Sequence, residues 1–263
     1  MQYVQPSNHL PFILKPATEI VKEAIWSLNA TNSGIETYPI SSYLLHSLFL
    51  KLTGAQEQKL KCICWELACR DYEYRFERFE RNRYSECSDY DDKNMVYKDI
   101  LNAIKKHDDS FLITDDIKNN ILNVWKDSTR QLFEHSVLCH NFKRKYDEYK
   151  ELIIDVDKEW IMNNNQLFTK EDNISRAARI KTFNLGLQGL FKKYIYVERN
   201  RCAHNTRSYQ HNLPSIKELV SPEHKLQNYF LFMSIIILLD EIYKKLFETY
   251  LEKQGYFSHT HDY

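Results

Sequence analysis

The chain has 263 residues, 43% of them hydrophobic and 14% aromatic, with 36 basic and 36 acidic side chains. That is long enough to bury a sizeable core and too apolar for a disordered chain. Six cysteines without a C-x-x-C pair, and no His cluster at zinc spacing, exclude a disulfide scaffold or a zinc ribbon and read as free thiols in a reducing cytoplasm.

All six prolines lie at 6, 11, 16, 39, 214 and 222, so residues 40–213 contain none, and the whole chain has five glycines. Proline breaks helices and glycine weakens them, so this long clear run predicts an all-α fold. One all-helical domain over 1–263 is the expected organisation. Residues 1–16, with three prolines, read as an extended arm. A first helix is expected over about Ala17–Leu28, then a loop at Asn29–Gly34. Pro39 opens the next helix, where a missing N–H costs nothing. Its apolar positions, Leu45, Leu48, Phe49, Leu52, Leu60, Ile63 and Leu67, keep period across Gly54, which fits one bent helix or two. Within it, Glu57 has the reach to orient an arginine from a neighbouring helix, although an exposed Gln-Glu-Gln-Lys face is the more ordinary reading.

Beyond Asp71, alternating charges predict a solvated helical face, and Tyr84–Lys93 reads as a loop. A short helix follows at Met95–Ile104. Thr114-Asp115-Asp116 is an N-cap pattern, and the stretch after it runs without Gly or Pro to Trp160, with Arg130 and His135 in mid-helix. Asn163–Gln166 is a break, and helix is expected again from about Lys170. Phe183, Leu187, Leu190, Tyr194 and Val197 share one face by spacing, and Gly186 and Gly189 would permit close helix approach. Asn205–Ser215 is a connection, and Ser221-Pro222-Glu223 reads as the start of a last helix. Its body, Tyr229–Tyr250, is apolar nearly all round as far as Asp240, which predicts a central helix or half of an interface. The apolar run Tyr229–Leu239 is too short to span a bilayer, so no membrane association is expected. Nothing at the start of the chain has the pattern of a signal peptide.

Charge is unevenly placed. Residues 175–217 carry nine Lys or Arg against one acid, Glu198, while residues 71–117 carry thirteen acids against eight bases. The basic segment suits a polyanion. It equally suits a face paired with the acidic region, within the chain or across a dimer.

At its centre is Glu198-Arg199-Asn200-Arg201-Cys202-Ala203-His204. A guanidinium grips phosphate oxygens, an imidazole moves protons near neutral pH, and an amide orients either. The spacing Arg-Asn-x-x-x-His arises by chance only ~0.03 times in a chain of this composition. Arg130 to His135 is a second Arg-x(4)-His match without the asparagine, and it is assigned no role. The pattern at Arg199, Asn200 and His204 resembles the signature of the HEPN superfamily, helical-bundle proteins that include many RNA-cleaving toxins and defence effectors. The resemblance covers about residues 172–252, and residues 1–170 carry no such signature. It implies a HEPN-like bundle of long helices, here with an N-terminal helical extension. It also implies metal-independent RNA cleavage in a symmetric homodimer whose two motifs line one cleft.

On this reading Arg199, Asn200 and His204 are catalytic, and Arg201, Arg207, Lys192 and Lys193 bind RNA. No metal or other cofactor is expected, and relatives are silenced by antitoxins, so a regulatory partner protein fits as well. Cleaving RNA through its 2′-OH needs a base and an acid, and each motif has one histidine, which agrees with a site built from two copies. Two other readings stand beside this one: a helix C-terminus that carries cations because they suit the dipole, and a non-catalytic helical scaffold or RNA-binding subunit.

Overall fold

The computed structural model describes residues 8–29, 35–81, 86–154, 156–170, 186–204, 216–220 and 226–255, with backbone only for His204, Glu218 and Leu219. The described residues form helices and no strand; one isolated bridge joins Ile161 and Phe168 around the 163–166 break. The all-α expectation holds. The elements are α1 (Leu10–Leu14), α2 (Ala17–Asn29), α3 (Tyr38–Arg70), α4 (Tyr72–Arg75), α5 (Tyr90–His107), α6 (Asp115–Phe133), α7 (Val137–Asn141), α8 (Lys143–Ile153), α9 (Leu187–Leu190), α10 (Tyr196–His204), α11 (Ile216–Leu219) and α12 (Tyr229–Lys253).

Helix α12 is the axis. From Phe230 to Tyr243 every residue is buried, as a helix apolar on all sides must be. It packs against α3, α5, α6 and α8. One hydrophobic cluster runs from Leu10 to Leu251, so the N-terminal helices share the core with the motif region. They are not an appendage to it. Each large side chain sunk in that cluster contributes about 1.5–3 kcal/mol.

At the centre of α12 the buried charge is answered. The Asp240 carboxylate accepts from Lys59 Nζ at 2.6 Å and from the Ala17 backbone N–H at 2.7 Å, at the first residue of α2. Lys59 and Asp240 side chains are only 4% and 3% exposed. The pair ties α2, α3 and α12 together, with the negative charge on the positive end of the α2 dipole.

Several expectations need correction. Residues 10–14 are a helical turn with Leu10 and Ile13 buried, not part of an extended arm. Of the two readings of the next segment, one helix or two, the first holds: α3 is one 33-residue helix across Gly54. Helix α5 starts at Tyr90, five residues before the sequence reading put it, because Asp89 accepts from Asp92 N at 2.7 Å and two acids fill the first turn. The alternating-charge face holds a buried Arg78, which pairs with Asp99 at 3.5 Å. The long segment after Thr114 breaks without Gly or Pro. Ser136 caps α7 through Cys139 N at 3.1 Å, which leaves His135 in a turn and Trp160 buried beyond a third helix. Helix resumption near Lys170 falls in residues 171–185, outside the described residues, and so do Asn205–Ser215 and Ser221–Glu223. Helix α12 begins at Tyr229, with the Asn228 side chain accepting from Phe230 N and Leu231 N. Within the apolar run 229–239, Phe230–Leu239 is buried in the chain's own core and so is not the spare apolar surface that a dimer would use.

Candidate functional site

The motif helix α10 is the continuation of α9 through a π-helical turn, Phe191–Ile195. The buried positions are Leu187, Leu190, Phe191 and Ile195. A π turn holds one extra residue, so the core face moves one place later in the sequence than a 3.6-residue period predicts. Val197 was therefore misplaced: it is 55% exposed. Gly186 sits at the N-cap of α9, outside the helix body.

Arg199 points back to α3. Its Nη2 donates to Glu57 Oε2 at 3.0 Å, and its Nη1 donates to Asn200 Oδ1 at 3.0 Å. The side chains are 27% and 14% exposed, so this is a half-buried ion pair and the exposed reading of Glu57 is wrong. Its remaining N–H groups have no partner among the described residues. Beside the pair lies a water-sized cavity of about 10 Å³ that Gln56, Glu57, Lys93 and Arg199 help to line. Gln56 Nε2 is buried with no partner among the described residues. Lys93 is 2% exposed and donates to the Cys87 and Ser88 carbonyls at 2.5 and 3.1 Å. Burial pulls its ammonium down to about 8, against the opposing pull of Glu57 and of Cys87, Asp89 and Asp92.

The other side of α10 holds a second polar group. Glu198 Oε1 accepts from Tyr229 Oη at 2.5 Å, and its Oε2 lies 3.5 Å from Arg201 Nη1. Cys202 Sγ sits 3.4 Å from Tyr229 Oη. Burial raises the Cys202 thiol above its ordinary value, which keeps it protonated and unsuited to nucleophilic work. The His46 ring lies 4.7 Å from that of Tyr229. Burial lowers its imidazole below the usual value, with Glu198 raising it and Arg201 lowering it.

The structure thus brings Arg199 and Asn200 together and adds Glu57 to them. Position 204 ends α10, about 140° around a regular helix from position 199 and about 40° from position 200. Lys192 is engaged with Asp91 at 2.8 Å, a bridge from the basic segment to the acidic one. Lys193 is exposed, and Arg207 lies outside the described residues. His46 and Tyr229 were not anticipated from sequence. His46 precedes Glu57 by eleven residues, three helical turns, so the two share the α3 face that meets α10. That spacing was the available signal. Among the described residues Arg130 pairs only with exposed Asp127, at 3.0 Å.

Among the described residues no group of three His, Cys, Asp or Glu is placed to hold a metal ion, and no helix is long and apolar enough to cross a membrane. Comparison with models of protein families, with curated proteins and with solved structures gives no match for this chain.

Proposed function

We propose that this chain is a metal-independent endoribonuclease of HEPN type, a toxin or defence effector acting in the cytoplasm as a homodimer on RNA. The observation that carries the reading is the motif arginine itself. Arg199 is held on two sides by Glu57 and Asn200, and its remaining N–H groups, without a partner among the described residues, are what a phosphate would take. A cation oriented in advance stabilises charge on a crowded phosphorane without reorganising at the moment of reaction.

In the proposed reaction one His204 removes the 2′-OH proton. The 2′ oxygen attacks phosphorus, the bond to the 5′ oxygen breaks, and the second His204 protonates that leaving oxygen. The products are a 2′,3′-cyclic phosphate and a 5′-OH. Asn200 orients the guanidinium. The acids near the motif are already engaged, Glu57 with Arg199 and Glu198 with Tyr229 and Arg201, which favours a route without a metal. A dimer surface at the motif helix has a candidate in Val197, which is 55% exposed.

A second reading is a non-catalytic HEPN-like scaffold or RNA-binding subunit, to which an antitoxin or other regulator could bind. It is favoured by the pairing of Arg199, Arg201 and Lys192 with acids, as structural cations are paired. End-group analysis of RNA incubated with the protein in EDTA separates the readings. Cyclic phosphate and 5′-OH ends, lost in His204→Ala, support the nuclease. A 5′-phosphate, a requirement for Mg²⁺, or no cleavage overturns it.

A further inference from the structure

Nearer the start of α3 than Glu57, a cleft of about 290 Å³ opens between the start of α3, the α7–α8 junction, α10 and the start of α12. It approaches the size of small-ligand sites. Its walls are of two kinds. Tyr38 lies against Phe142 with ring centroids 4.8 Å apart, yet stays 49% exposed, so much of its ring surface is open. His46 rests on Tyr229. Facing these rings are two cations. Arg201 spends one long contact on Glu198, and its other N–H groups have no partner among the described residues. Lys145 reaches Glu148 at 3.1 Å and keeps about a third of its side chain exposed.

Open aromatic surface beside cations is what a base and its phosphate require together. A base inside a duplex has both faces covered, so only an unpaired one can use such a platform. We propose that this cleft seats one base of a single-stranded RNA on Tyr38, with the adjoining phosphate on Arg201 and Lys145. The inference rests on the RNA reading above and deepens it: the substrate is unpaired at the nucleotide that docks beside the motif helix.

The test uses the full chain carrying His204→Ala and a fluorescent single-stranded RNA eight-mer, with binding read by anisotropy. Tyr38→Ala should weaken binding about tenfold, within the range of base–aromatic stacking. Tyr38→Phe should bind as the parent does, which separates stacking from loss of fold. Eight-mers with one abasic nucleotide should bind about tenfold less well when the gap falls at the docked position, and Tyr38→Ala should add no further loss there. Equal binding by Tyr38→Ala and its parent, additive losses at every position, or no binding by the parent would overturn the proposal. Cleavage by the chain with His204 intact keeps the two readings apart. RNA bound through Tyr38 but left uncut supports the cleft and sinks the nuclease. RNA cut at a rate indifferent to Tyr38→Ala sinks the cleft and leaves the nuclease standing.

Discussion

Helices α12 and α10 lie in the same bundle and are built on opposite terms. In α12 the charged group at its centre, Asp240, has two donors and almost no solvent. In α10 each charged group has a partner too, but the pairs stay partly open: Arg199 is 27% exposed and Arg201 30%. A closed pair fixes three helices in place. An open pair fixes only the direction of a side chain, which remains available to something else. The difference is one of solvent: the polar groups of α12 are sealed into the core, and those of α10 keep part of their surface in water.

Breaking the closed pair should have the largest effect. Asp240→Ala leaves Lys59 as an uncompensated buried charge and strips the first N–H of α2 of its acceptor. The expected loss is about 3–5 kcal/mol of stability by urea unfolding, the usual penalty for removing one partner of a buried pair. The open pair should behave differently. Arg199→Ala should lower RNA cleavage by about 10²–10³-fold, as removal of one oriented donor does elsewhere, and shift the unfolding midpoint little. Glu57→Gln should cost less activity than Arg199→Ala, since the guanidinium remains and only its aim is loosened.

Lys93 sharpens the contrast through pH. Its native ammonium titrates near 8, below its usual 10.5. Between these values the unfolded chain holds a proton that the native chain has released, so this group makes stability rise with pH across that window. Urea unfolding at pH 8, 9 and 10 should show the rise in the parent relative to Lys93→Met. A parallel pair of curves would mean that Lys93 is not desolvated. The smallest effect belongs to the second Arg-x(4)-His match. Arg130→Ala and His135→Ala should cleave as the parent does, with stability within about 0.5 kcal/mol.

How much of this was legible before the fold was known follows from the range of each signal. Proline and glycine placement marked the helical class, and the apolar girth of Tyr229–Tyr250 marked the central helix, because both act locally. The cap at Thr114 was readable for the same reason. The cap at Asp89 was passed over within a run of charge that looked like a loop, and the break at Ser136 carried no glycine or proline to announce it. In the motif, the residue types and spacing were visible, whereas their partners were not. Glu57 lies 142 positions from Arg199, and Tyr229 lies 31 from Glu198. Nothing in a one-dimensional pattern marks which of many acids a given arginine will meet.

The π turn at Phe191–Ile195 has a consequence for how this helix tolerates changes in length. Such a turn swallows one residue locally and returns the chain to its former phase. Losing a residue there, Lys193 for instance, would let the helix run as regular α with Arg199 still facing Glu57. Gaining one after Val197 has no slack to absorb it, and would swing Arg199 about 100° around the axis, away from α3. The segment ahead of the motif thus works as a length buffer, and the motif itself as a fixed-length gauge.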